Sequence, residues 1–232
     1  MSTEPAQPSS APLVLHHLNK SRSLRILWLL EELEVPYEIK FYKRVPPGLA
    51  PKELLAVHPL GKSPVITHGD VTLAESGAIV EYIIRTFGNG KARPPPSGEI
   101  HDLYFSHYAE GSLMPPIVNK HVFNLVPSQA PFFVRPLIRS VLSTITNGWI
   151  DPTLKKHIAL VEAHLEKSGD WFAGGSEPTS ADFLMAYAVE ALNTLFPDVA
   201  GPKMKAWVDR VHNRPAFKRG VEKSGEPDPF FG

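Results

Sequence analysis

The chain has 232 residues, 24 Lys and Arg against 24 Asp and Glu, and no cysteine. Without cysteine there is no disulfide, no thiolate metal site and no protein thiol nucleophile, a composition that fits a reducing compartment. The formal net charge of zero gives no overall footprint for nucleic acid or an anionic membrane, although it leaves room for a local basic patch.

Residues 1–11 are polar and rich in Pro and Ser. They lack the basic start and apolar run of a signal peptide and read as a disordered lead-in. Leu13-Val14-Leu15 reads as a buried strand. Asn19-Lys20-Ser21 interrupts it, and Ile26, Leu27, Leu30 and Leu33 recur at helical spacing until Val35-Pro36 ends the helix. Tyr37–Tyr42 alternates like a strand. Residues 44–51, with three prolines and a glycine, are loop, followed by a short helix near Lys52–Ala56. Val65-Ile66 and Val71-Thr72-Leu73 flank His68-Gly69-Asp70 as a hairpin. Ser76 opens a helix with Ile79, Val80, Ile83, Ile84 and Phe87 on one face. The order β-α-β-α-β-β-α predicts a mixed sheet covered by helices.

Gly88 to Gly98, with three consecutive prolines, reads as the boundary between domains. Beyond it the strand signals stop. Helices are predicted over Ile100–Tyr108, over Phe133–Ile145 after a Pro-rich bend, and from Asp151-Pro152 with Leu154, Ile158, Val161 and Leu165 as its stripe. Thr179-Ser180-Ala181-Asp182 resembles a capping box before an apolar helix from Phe183 to Leu195. Met204–Val211 is the last clear helix. The longest apolar run, Phe183 to Val189, is far short of the ~20 residues that span a membrane, so no membrane span is expected.

Three features could carry chemistry. Ser21 and Ser23 stand where a strand passes into a helix. They are either helix caps or hydroxyls that, with the free N–H groups of the helix start, stabilise a thiolate. Lys62-Ser63-Pro64-Val65 puts a proline at a strand mouth, either as an ordinary entry or as a cis bond that aims the Ser63 backbone at a ligand. It is not a phosphate-binding loop: the earlier glycine would fall at Ala56, and a strand follows rather than a helix. Glu75-Ser76-Gly77 opens a helix either as a cap or as a site for an amino-acid zwitterion, with Glu75 taking the ammonium and Ser76 the carboxylate. Sequence alone does not give the ligand spacing from His16-His17 to His58, His101 or His107, and no metal site is expected.

The strings LHHLNKSRSLRILWLLEELEVPYEIK, HPLGKSPVI and LAESGAIVEYI resemble the amino-terminal domain of cytosolic glutathione transferases, most closely the bacterial and yeast-type fungal subgroup. HYAEGSLMPP, APFFVRPLIRSVLS, WFAGGSEPTSADF and VHNRPAFKRG resemble its helical domain. The resemblance implies a thioredoxin-like α/β domain (βαβαββα) over 12–88, a linker over 89–98 and an all-α domain over 99–232. It implies Ser21 as the residue that hydrogen-bonds the glutathione sulfur, with Asn19 and Ser23 as alternatives. Lys62 would meet the glycyl carboxylate, Ser63 and the cis-proline Pro64 the cysteinyl part, and Glu75 and Ser76 the γ-glutamyl group. Tyr104, His107, Tyr108 and Met114 fall where the family keeps its electrophile pocket, or in the core.

Ser63 replaces the usual valine before the proline, and His58 stands where many members have asparagine. No tyrosine lies in the first loop, which disfavours the tyrosine-activated classes. The implied activity is conjugation of glutathione to small apolar electrophiles, with hydroperoxide reduction as a further activity, in a cytoplasmic homodimer. Glutathione is then a co-substrate and no other cofactor is expected. The rival reading is a non-catalytic interaction or ligand-carrier module on the same fold.

Overall fold

The computed structural model describes residues 11–46 and 48–226. All but Ala11 of the expected lead-in lies outside the described residues. The described residues up to Arg93 and those from His212 onward form one compact unit, and Pro94–Val211 form another.

The first unit is built on four strands, β1 (Leu13–Leu18), β2 (Tyr37–Tyr42), β3 (Val65–His68) and β4 (Val71–Ala74), in the order β2-β1-β3-β4. β1 pairs parallel with β2 and antiparallel with β3, and β3 pairs antiparallel with β4. As a central strand buried at every position, β1 shows no alternation. Helices α1 (Leu24–Leu33), α2 (Lys52–Val57) and α3 (Ser76–Phe87) complete the expected order. Leu15, Ile26, Leu27, Leu30, Val65, Ile66, Ile79, Val80 and Ile83 are completely buried and form its core.

The second unit contains α4 (Glu99–Tyr108), α5 (Met114–Gln129), α6 (Arg135–Ile145), α7 (Asp151–Ser168), α8 (Ser180–Leu195) and α9 (Pro202–Asn213), the last running into the first unit. Single π-helical turns, Ala109–Leu113 and Thr146–Ile150, connect α4 to α5 and α6 to α7. Instead of the expected Pro-rich bend there is α5. Pro115 and Pro116 sit in its first turn, where a missing N–H costs no hydrogen bond, and Pro127 lies in its last. The capping box at Thr179 is present. Asp182, completely buried, accepts the N–H groups of Thr179 and Phe172, the Thr179 hydroxyl and the Trp207 indole N–H. Burial pushes this carboxyl up to about 7, while its four donors pull the other way.

A tenth helix, α10 (Pro215–Ser224), follows the one read as last and packs as part of the first compact unit. It packs on α1, with Phe217 edge-on to Trp28 and Gly220 so close that a Cβ would lie 3.2 Å from the Trp28 nitrogen. Charge fixes the register. Arg214 binds Glu32, while Arg219, Lys223 and the Tyr37 hydroxyl converge on the buried Glu31 carboxylate. Burial raises the Glu31 pKa, but hydrogen bonds from Lys223, Tyr37 and Arg219 more than offset it and hold the carboxyl below its usual 4.5. A depressed carboxyl stabilises the fold above its unfolded pKa, and that contribution is lost as pH falls through the lower folded value. Glu31→Ala is therefore expected to cost about 2 kcal/mol at neutral pH, discounted for half-exposed partners. The difference from wild type should shrink below pH 4.5, as urea denaturation of both proteins across pH would measure.

Candidate functional site

Strand register assembles the site. β1 and β4 run in one direction and β3 in the other, with His16 opposite Val65 and Val65 opposite Ala74. The carboxyl ends of β1 and β4 therefore share one edge with the amino end of β3. Asn19–Ser23, Lys62–Pro64 and Glu75–Ser76 all emerge there, at the strand ends where open α/β sheets bind ligands. A hydrogen bond from Leu18 N–H to Ser63 Oγ, 3.2 Å, closes the first two loops onto each other.

The Ser63–Pro64 peptide is cis. Gly61 allows the approach to it: its φ is +56°, and a Cβ there would lie 2.6 Å from the Leu55 side chain. Lys62 is exposed. His58 closes the preceding turn by accepting the Leu60 N–H at Nδ1. Glu75 has φ 71° and ψ 119°, a backbone conformation that costs a side-chain-bearing residue of order 1–3 kcal/mol. It is exposed at the amino end of α3, next to the buried Ser76.

The first loop holds a chain of buried hydroxyls. Ser21 Oγ lies 2.7 Å from Ser23 Oγ and 3.3 Å from Ser63 Oγ, and it accepts the Ser23 N–H at 3.3 Å. Ser23 Oγ is 2.8 Å from His17 Nδ1, and His17 Nε2 faces the Glu226 carboxylate at 3.5 Å. That carboxylate also accepts the Lys20 N–H with both oxygens. Ser63 Oγ donates to the His16 carbonyl at 2.9 Å. Ser23 is completely buried, whereas Ser21 retains 5 % exposure. Asn19 is turned to another task, its Oδ1 accepting the Arg44 N–H at 2.7 Å.

Proton accounting orders this chain. Burial lowers the His17 pKa against the opposing pull of Glu226, so the ring is neutral at pH 7. A carboxylate opposite Nε2 selects the tautomer with the proton there, which leaves Nδ1 to accept from Ser23. The Ser23 and Ser63 protons are then both committed, to His17 and to the His16 carbonyl. Both oxygens can then only accept from Ser21, whose single proton goes to one of them at a time, so the Ser21 proton is the one in the cluster not held by a group outside the three serines.

Sequence reading missed His17, Glu226 and the Ser63 hydroxyl. Ser63, read as a neutral replacement because only its backbone would be used, bonds three groups through its side chain. A buried histidine in an apolar strand and a glutamate 209 positions away carry no shared local signal. Of the residues named for the electrophile pocket, Tyr108 and Met114 are buried in the second unit, Tyr108 bonding His157, while Tyr104 and His107 are exposed.

The glutathione S-transferase N-terminal domain model matches residues 12–85, and the glutathione S-transferase C-terminal domain model matches 143–223. Glutathione S-transferase 3 of Schizosaccharomyces pombe is 37 % identical over 216 residues, covering 91 % of this chain and 87 % of its own. Glutathione S-transferase 1 of Saccharomyces cerevisiae is 31 % identical, covering 93 % and 97 %. A crystal structure of a glutathione S-transferase from Actinobacillus pleuropneumoniae superposes with a TM-score of 0.72 at 27 % identity, covering 92 % of this chain and 93 % of that one. A Phanerochaete chrysosporium glutathione transferase solved with oxidized glutathione has a TM-score of 0.69 at 18 % identity, covering 93 % and 97 %, and shares the fold. The fold is therefore that of a two-part transferase, with a thioredoxin-like α/β unit and a helical unit. The chain belongs to the glutathione S-transferase family and is a glutathione transferase.

The backbone at Glu75 can be tested apart from any ligand. Glu75→Gly is expected to raise stability by about 1 kcal/mol by relieving the positive φ, seen as a higher thermal midpoint.

Proposed function

We propose that the edge where β1, β3 and β4 meet binds glutathione and that Ser21 donates a hydrogen bond to its sulfur. The observation that carries the reading is the proton order of the hydroxyl chain, in which the Ser23 and Ser63 protons are held by His17 and the His16 carbonyl and only the Ser21 proton can turn from its serine neighbours to a sulfur. In this reading Glu75 takes the γ-glutamyl ammonium, and Ser76 with the amino end of α3 takes its carboxylate. The backbone of Ser63 beside cis-Pro64 pairs with the cysteinyl part, and Lys62 meets the glycyl carboxylate. Strain held at Glu75 suits a position maintained for a ligand rather than for stability.

Catalysis is activation of a nucleophile plus proximity. The thiol gives up its proton to solvent, and the thiolate is stabilised by the Ser21 O–H and by the positive amino end of α1. The Ser23 N–H donating to Ser21 Oγ polarises the Ser21 hydroxyl and strengthens it as a donor. The sulfur lone pair then attacks an electrophilic carbon, forming a thioether and expelling the leaving group or adding across a polarised double bond. Small apolar electrophiles are the proposed substrate class, with organic hydroperoxides second. Ser23 is a positioning residue here, since its hydroxyl is spent on His17, and Asn19 is occupied with Arg44. A cytoplasmic homodimer is the proposed working form, with the exposed Ile100 and Leu103 of α4 offering apolar surface for it.

A hydrogen bond to a charged group contributes roughly 1.5–3 kcal/mol. Ser21→Ala is therefore expected to lower kcat/KM for glutathione and a model aryl halide by about 10- to 100-fold, with glutathione still bound. Equal activity of the two proteins would remove Ser21 from the mechanism. Failure of wild type to bind glutathione by calorimetry would remove the site.

A further inference from the structure

We propose that the glutathione thiol loses its proton along the chain Ser21–Ser23–His17–Glu226, which carries it from the sulfur site to water and leaves Ser21 turned toward the thiolate as a donor. The proposal rests on the reading that Ser21 meets the sulfur, and it adds the route by which the proton leaves.

The four side chains are linked end to end. Ser21 Oγ is 2.7 Å from Ser23 Oγ, Ser23 Oγ is 2.8 Å from His17 Nδ1, and His17 Nε2 is 3.5 Å from the Glu226 carboxylate. Ser21, Ser23 and His17 are buried, whereas the Glu226 side chain keeps 15 % exposure. The chain therefore starts at the proposed sulfur position and ends at solvent. Nε2 is buried and has no hydrogen-bond partner among the described residues, so the carboxylate is the polar group it faces, and a small closure makes the contact a hydrogen bond. The Lys20 N–H holds that carboxylate in place through both oxygens. Phe41 of β2 lies edge-on to the ring and offers it no competing acceptor. Ser63, the other serine beside Ser21, gives its proton to a backbone carbonyl, which can hold a proton but not pass it on. The branch through Ser23 ends instead on an imidazole, which takes a proton at one nitrogen and releases another from the second.

Proton directions show how the chain works. With a thiol bound, S–H donates to Ser21 Oγ, Ser21 to Ser23, and Ser23 to His17 Nδ1, so every link points toward His17. When the S–H bond breaks, its electron pair stays on sulfur and its proton forms a new O–H bond at Ser21. The former Ser21 proton passes to Ser23, and that of Ser23 to Nδ1. The Nε2 proton leaves to the Glu226 carboxylate and from there to water. The balance is thiol plus water giving thiolate plus hydronium. Every link is now reversed: Nδ1–H donates to Ser23, Ser23 to Ser21, and Ser21 to the thiolate. Ionisation of the sulfur and the arrival of its hydrogen bond are thus one event. Burial keeps the His17 ring from retaining the proton it receives. Ser23, His17 and Glu226 act on the sulfur only through Ser21 and are positioning residues.

The test mixes each full-length protein with glutathione in a stopped-flow cell and follows thiolate absorbance together with proton release to an indicator dye. His17→Asn keeps an acceptor for the Ser23 hydroxyl but cannot relay a proton. Glu226→Gln keeps an acceptor for the Lys20 N–H but cannot take one. Both variants should form thiolate at least about tenfold more slowly than wild type, with glutathione affinity kept and the ionisation midpoint of the bound thiol not raised. Loss of the Glu226 charge by itself favours a nearby anion, so slower ionisation there would run against the electrostatics. Equal rates in wild type and Glu226→Gln would overturn the exit route while leaving Ser21 as the donor. Weaker glutathione binding or a raised midpoint in both variants, with the rate unchanged, would make the His17–Glu226 pair structural and also overturn it. Failure of wild type to bind glutathione, or a Ser21→Ala titration that matches wild type, would overturn the reading of the site and the route with it.

Discussion

The contact between His17 Nδ1 and the Ser23 hydroxyl is the constraint on which the site depends. It is buried, so neither group can turn to water, and it commits the Ser23 proton to His17, as the His16 carbonyl commits that of Ser63. Through it the first loop, the cis-proline loop and the residues after α10 become one hydrogen-bonded body. An unordered set of serines would share protons in several arrangements and offer a ligand no fixed donor. An ordered set offers one, at Ser21, which is less buried than Ser23.

The position of α10 follows from the same dependence. Glu226 reaches His17 only because α10 is docked on α1, and α10 is docked by Phe217 and Gly220 against Trp28 and by the basic residues around Glu31 and Glu32. The far end of the chain thus sets the tautomer of a histidine in the first strand. Both the register of β3 against its neighbours and this docking are packing decisions made well away from the sulfur, and both decide what stands beside it.

Much of the first unit was legible because its signals are local. Tyr37–Tyr42 and the helix from Leu24 to Leu33 follow from periodicity and from Pro36. The Ser-Pro and Glu-Ser pairs mark their loops by residue type. The hidden parts have physical reasons. α5 was obscured because Pro115 and Pro116 read as breakers, although a first helical turn needs no N–H from them. α10 is short, begins with a proline and carries four charges, and it holds together through tertiary contact with α1. Neither His17 nor Glu226 gives any sign in the sequence, since each acquires its role from a partner distant in the chain.

The most direct test of the account is the titration of glutathione bound to the enzyme, followed by the ultraviolet absorbance of the thiolate. A free thiol ionises near pH ~8.5. Bound to wild type, the sulfur should ionise below that value, and in Ser21→Ala its midpoint should move back up by about one to two pH units, the worth of one charge-assisted hydrogen bond. Superimposable titrations of the two complexes would contradict the central claim that Ser21 is the donor.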